Sequence, residues 1–124
     1  MYHKFECIGR LGKDVEARYL EDGKMVASFS VAVNAGYGDK KQTMWVRVAA
    51  FGKTGEACNT YLKKGSLVFV EGSMNFDSKT GGPQVWTRKD GTHGSSFDMV
   101  ASTVKFLDSK SDNVQEDDSE SIPF

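Results

Sequence analysis

The residues best placed to do chemistry in this sequence are rings set beside cations. In the segment 43–51, Met44, Val46, Val48 and Ala50 alternate with Trp45, Arg47, Ala49 and Phe51. Successive side chains of a strand point to opposite faces. An extended segment therefore turns the first set, wholly apolar, toward a core and the second set the other way. That second face carries a ring at each end, a guanidinium between them and one small residue. An unpaired nucleobase offers a flat π-face that stacks on such rings, at about 1–3 kcal/mol per base. A guanidinium between two stacking platforms is placed to capture a backbone phosphate, with release of counterions. The competing reading buries Trp45 and Phe51 beneath a helix or in a subunit interface. The ring-plus-cation combination recurs twice: Tyr37 stands with Lys40 and Lys41 in a glycine-rich loop at 35–41, and Trp86 precedes Arg88 and Lys89 near an expected hairpin tip. Phe29, Phe69 and Phe97 are assigned to the core.

Catalytic chemistry has no comparable constellation. No glycine-rich loop ends in the Gly-Lys-Ser/Thr that cradles a nucleotide phosphate, and Gly9-Arg10-Leu11-Gly12 has the wrong spacing for one. The carboxylates of residues 1–107 are scattered beside turns and cations, and neither His3 nor His93 has a nucleophile placed near it. Cys7 and Cys58 lie in apolar surroundings and read as small reduced core residues, without ligand spacing to either histidine. No enzyme activity, metal or cofactor is expected.

The elements that must position these side chains follow from patterning. Residues 1–107 carry fifteen Lys/Arg against eleven Asp/Glu, a balance of +4, whereas residues 108–124 carry one lysine against six acids, a balance of −5. The first part reads as one domain, and the second, nearly free of apolar residues, as a disordered acidic tail. Within the domain, Phe5, Cys7, Gly9 and Leu11 alternate along a first strand. Glu21-Asp22-Gly23-Lys24 is a turn signal, and Met25–Asn34 alternates again. After the Trp45 strand comes a helix predicted over 54–64, capped by Thr54 and closed by Gly65, with Ala57, Cys58, Tyr61 and Leu62 on one face. Strands follow over 67–76 and 97–107, separated by an arm that turns at Lys89-Asp90-Gly91-Thr92. Five strands with one helix between the third and fourth is the order of the OB-fold, a small Greek-key barrel that binds oligonucleotides or oligosaccharides. No apolar run is long enough to span a bilayer, and the start Met1-Tyr2-His3-Lys4 lacks a signal peptide's apolar stretch. A cytoplasmic, nucleoid-associated location is expected.

These residues resemble the bacterial-type single-stranded DNA-binding protein family. The likeness rests on Gly9-Arg10-Leu11-Gly12-Lys13-Asp14 with Glu16-Ala17-Arg18-Tyr19, on Gln42 to Val48 followed by Phe51-Gly52-Lys53, and on Tyr61 to Ser66 with Val70-Glu71-Gly72. The resemblance implies an OB-fold assembled as a homotetramer that binds and protects single-stranded DNA in replication, recombination and repair. It implies stacking residues at Trp45, Phe51 and Trp86, and at Tyr37, where the family often has tryptophan. It implies phosphate contacts from Arg47 and from cations among Lys4, Arg10, Lys40, Lys41, Arg88 and Lys89. The end, with Asp117, Asp118 and Glu120 before Ile122-Pro123-Phe124, is similar to the family's tail tip. There a terminal Phe and its carboxylate enter a pocket on replication and repair enzymes. The plainer reading of this segment is a solubilising tail. An OB-fold adaptor that binds protein, a cold-shock-like RNA binder and a small nuclease are the alternative readings of the whole.

Overall fold

In a computed structural model, which describes residues 1–108, the chain forms seven strands and one α-helix. The strands are β1 (Phe5–Leu11), β2 (Glu16–Tyr19), β3 (Met25–Ala35), β4 (Gln42–Phe51), β5 (Leu67–Met74), β6 (Gln84–Thr87) and β7 (His93–Phe106). The helix α1 (Gly52–Tyr61) joins β4 to β5. Strand β1 pairs antiparallel with both β5 and β3, β5 with β7, and β3 with β4, while β4 and β7 run parallel. Following those pairings returns to the starting strand, so β1, β5, β7, β4 and β3 close a five-stranded barrel. This is the OB-fold expected from the order of the elements. The closing β1–β3 ladder is short, through Arg10 and Leu11, so residues 5–9 of β1 are laddered to β5 alone. Two short strands lie outside the ring: β2 extends the sheet beyond β3, and β6 pairs with the first part of β7 as an arm.

The interior follows from alternation. Ala27, Phe29 and Val31 of β3, Val46, Val48 and Ala50 of β4, Val68 and Val70 of β5, and Met99 of β7 are buried together. Burying the valine, phenylalanine and methionine side chains among them contributes roughly 1.5–3 kcal/mol each. Cys58 of α1 and Leu62, just past its end, join this core, and the helix packs mainly on β3 and β4. Both cysteines are free.

Several expectations change in detail. The helix spans Gly52–Tyr61 rather than 54–64. Phe51, not Thr54, holds the N-cap position, without a side-chain cap, and Gly52 takes φ 63°, the left-handed turn that lets β4 run straight into the helix. Lys63 and Lys64 fall beyond its end, where the Lys63 N–H donates to Ser66 Oγ. Tyr61 is exposed, its ring centroid 5.9 Å from that of Phe106, instead of joining the buried face. Strand β2 was not expected, and all four of its residues are exposed. Phe97, assigned to the core, pairs with Val46 of β4 but is 52% exposed, since the ladder from β5 to β7 stops at Met99. Phe69, also assigned to the core, is half-buried on the outward side of β5, between buried Val68 and Val70. The acidic segment 109–124 lies outside the described residues.

Candidate nucleic-acid interface

The outward side of β4 carries the rings and the arginine. Trp45 and Phe51 are 51% and 44% exposed, Arg47 is exposed, and Val46, Val48 and Ala50 between them are buried. Burial of Trp45 and Phe51 within the chain is therefore excluded. Six residues at roughly 3.3 Å each separate the two rings by about 20 Å along the strand. Residues directly opposite one another share a face. Trp45 faces Ala32 of β3, Arg47 faces Ser30, Ala49 faces Ser28 and Phe51 faces Val26. The floor between the rings is thus made of serines and alanines, low enough to leave both aromatic platforms standing proud. On the other side of β4, Arg47 is level with Asp98 of β7.

The same register reaches Trp86. Along β7, Asp98, Ser96 and Gly94 alternate on one face, and Gly94 lies directly opposite Trp86 in the arm. Trp86, Arg47, Trp45 and Phe51 therefore belong to one continuous side of the sheet. Trp86 is 40% exposed. Tyr37, 85% exposed, precedes a 3₁₀ turn at Gly38–Lys40 in the β3–β4 loop. That loop is at the Trp45 end of the face, so Lys40 and Lys41 extend it, whereas Phe51 ends it beside α1.

A groove of about 320 Å³ opens on this side. Its lining includes Arg47, Ser30 and Asp98 from the barrel wall, Lys13 from the β1–β2 loop, Arg18 from β2 and Asn75 after β5. Lys13 and Arg18 were not among the expected contacts. Their signal was weak, since β2 has no buried residue to mark it as a strand. The loop carrying Lys13 is held by backbone and side-chain bonds: Gly12 N–H donates to Ser30 O at 3.0 Å, and Asp14 Oδ1 accepts from Lys64 N–H at 2.8 Å. Gly12 is also the seat of Trp45. A Cβ built there would stand 2.5 Å from the indole Cζ3.

The expected cations divide by what holds them. Among the described residues, Arg47, Lys40, Lys41 and Lys89 are in no ion pair. Arg10 shares the row of Ala32 and Trp45, but its guanidinium donates to Gly65 O at 2.9 Å and lies 3.6 Å from Asp108. Lys4 stands at the far end of β1, hydrogen-bonded and paired with Glu71, which holds its ammonium above the ordinary lysine range. Arg88 is engaged within the arm, with its guanidinium carbon 4.7 Å from the Trp86 ring centroid. The tail residues Asp117, Asp118, Glu120, Ile122, Pro123 and Phe124 are outside the described residues.

Reactive groups are sparse. Burial raises the thiol pKa of Cys7 and pushes that of Cys58 up to about 11. Among the described residues no group of three or more His, Cys, Asp or Glu is arranged to hold a metal ion. Nor is any described helix long and apolar enough to cross a membrane. What the face offers is stacking rings, hydroxyls and cations, with Asp98 beside Arg47.

Comparison with known proteins agrees with that chemistry. Residues 2–107 match the model of the "Single-strand binding protein family". The chain belongs to this family. It is a family of binding proteins rather than enzymes. The chain is similar to a single-stranded DNA-binding protein of Neisseria meningitidis, 34% identical over 116 residues, covering 90% of this chain and 63% of that protein. The counterpart from Wolinella succinogenes is 37% identical over 117 residues, covering 89% and 67%. Single-stranded DNA-binding protein 1 of Synechocystis is 36% identical over 115 residues, covering 91% and 89%. This family member thus spans about 63% of the length of the neisserial relative.

Proposed function

We propose that this chain binds single-stranded DNA without strong sequence preference along the outward side of β3, β4 and β7 and out onto the arm. The observation that carries the reading is the shared register of Trp45, Arg47, Phe51 and Trp86 on one exposed side, with small residues between the rings. Sequence tolerance follows from the chemistry, since every base has a π-face and every nucleotide a phosphate. Lys40, Lys41, Lys89 and Arg47 supply cations without an internal ion pair, and Tyr37 adds a ring at the loop end. The names of the relatives support DNA as the strand.

The test is tryptophan fluorescence during titration with oligo-dT. Stacking on Trp45 and Trp86 quenches emission, and the break point reads the site size. Trp45→Ala and Trp86→Ala each weaken binding by about 1–3 kcal/mol while the thermal unfolding midpoint stays put. Two such variants that bind dT as tightly as the parent refute the stacking surface.

In this reading the bound strand is protected during replication, recombination and repair in the cytoplasm, at the nucleoid. The acids around Asp117, Asp118 and Glu120 meet basic rims on partner enzymes while Ile122, Pro123 and Phe124 enter an apolar pocket. Removal of residues 121–124 then spares dT binding and abolishes capture of replication and repair enzymes. Assembly as a homotetramer is part of the same proposal. It is supported by the outer face of β1 and β5, where exposed Ile8 lies opposite half-buried Phe69. Sedimentation equilibrium measures that state directly.

A further inference from the structure

The tip of the arm contains more organisation than a stacking ring requires. Asp90 Oδ1 accepts from the Thr92 N–H at 2.9 Å and from the Thr92 hydroxyl at 2.7 Å. The Thr92 oxygen in turn accepts from Arg88 Nη1 at 3.2 Å, and the same nitrogen donates to His93 O at 2.8 Å. The backbone closes the turn with Arg88 N–H to Thr92 O at 2.7 Å and Gly91 N–H to Arg88 O at 3.0 Å. The chain Asp90–Thr92–Arg88 thus delivers the guanidinium to one place, over the indole of Trp86. Gly94, opposite Trp86, sits where the two groups meet. A Cβ there would collide with the six-membered ring of the indole and stand 2.8 Å from Arg88 Nη2.

We propose that Arg88 is a positioning residue for Trp86: held by the hairpin tip, its guanidinium occupies one face of the indole and presents the opposite face to an incoming base. The inference rests on the DNA-binding reading and deepens it. It also changes the role expected of Arg88, from a phosphate contact to a fixed platform beneath a stacking ring. Two of its donors are already taken by Thr92 and His93, and its planar face is taken by the ring. An arginine so placed lowers the freedom that Trp86 must lose when a base stacks, which is how pre-organisation raises affinity without adding a contact to the ligand. Asp90 and Thr92 reach the base only through Arg88.

The experiment uses the full chain carrying Trp45→Phe, which leaves Trp86 as the single tryptophan. In that background Arg88→Met, Arg88→Lys and Thr92→Val are compared by steady-state anisotropy of Trp86 without DNA, and by titration with oligo-dT at several salt concentrations. In the free protein, Arg88→Met lowers the anisotropy most, Thr92→Val partly, and Arg88→Lys, which keeps the charge but not the plane, nearly as much as methionine. Affinity for dT falls by about three- to tenfold in the same order, and the log–log salt slope stays that of the background. Unchanged anisotropy in Arg88→Met overturns the proposal. So does a salt slope shallower by about 0.7 in Arg88→Met, with Thr92→Val silent, because that is the mark of a lost phosphate contact. Should the parent fail to bind dT at all, the DNA-binding reading falls, while the anisotropy of the free protein still decides whether Arg88 fixes the ring.

Discussion

At the scale of single residues, the chemistry of this surface depends on rings held in place by what lies beneath them. Trp45 and Phe51 were legible in the sequence because they alternate with an unbroken apolar set, and alternation alone decides which face a strand residue takes. The seat of Trp45 was not legible, since nothing in Gly12 itself says that an indole thirty-three positions away will lie against it. Gly12→Ala places a methyl group 2.5 Å from the indole and moves the ring rather than the backbone. The expected outcome is a shifted Trp45 emission maximum and a several-fold weaker dT complex, with an unfolding free energy lowered by no more than about 1–2 kcal/mol. Emission and affinity both equal to the parent's would show that the contact does not set the ring. Cys58 offers a test of the interior at the same scale. Its folded pKa stands near 11 against an ordinary 9.0, so the unfolded chain ionises first as the pH rises. The stabilisation is whole below about pH 9 and is lost progressively toward pH 11. Denaturant midpoints followed across that window should fall, and a thiol reagent at pH 8 should label native Cys58 only as fast as the protein opens. Rapid labelling of the native protein would mean the thiol is not sealed.

At the scale of elements, register does the work that distance in sequence conceals. Strands β3, β4, β5 and β7 were readable because each buries alternate apolar residues in one continuous core. Strand β2 was not, because Glu16–Tyr19 is exposed on both sides and is held mainly by its ladder to β3. The helix boundary moved for a related reason. Thr54 looks like a cap by residue type, but the turn that starts the helix is made earlier, by the backbone of Gly52. Phe97 shows the limit of reasoning by parity. It has the parity of buried Met99 and pairs with buried Val46, yet it is exposed, and only the end of the β5 ladder at Met99 reveals that. The arm gives a sharp test, because a shift of one residue moves a side chain to the other face. Val85 is exposed on the side opposite Trp86. Exchanging the two, as Val85→Trp with Trp86→Val, keeps composition, exposure and hairpin but turns the indole away from Arg47 and Trp45. The exchanged protein should bind dT as weakly as Trp86→Ala. Binding as tight as the parent's would mean the arm twists freely and the shared side is not what counts.

At the scale of the whole molecule, the separation of charge is the organising fact. A net charge of −1 and a sequence pI near 6.1 describe a protein that should avoid a polyanion. Yet the residues that form the barrel and arm carry a positive balance, and the acids that cancel it are collected beyond residue 107. The last backbone bond described, Leu107 N–H to Leu67 O at 2.9 Å, ties off the barrel just before that segment begins. Every cation assigned to the strand-binding side lies before that point. A chain ended after Asp108 should therefore fold with the parent's cooperativity and bind a cation exchanger at pH 7 that the full chain passes through. Each phosphate neutralised on single-stranded DNA contributes about −0.7 to the slope of log affinity against log salt. That slope counts the cations engaged, so the shortened and full chains should share it even if their absolute affinities differ. A slope that changes when residues 109–124 are removed would show that the acidic segment takes part in the phosphate contacts, and that strand binding is not the property of the barrel and arm alone.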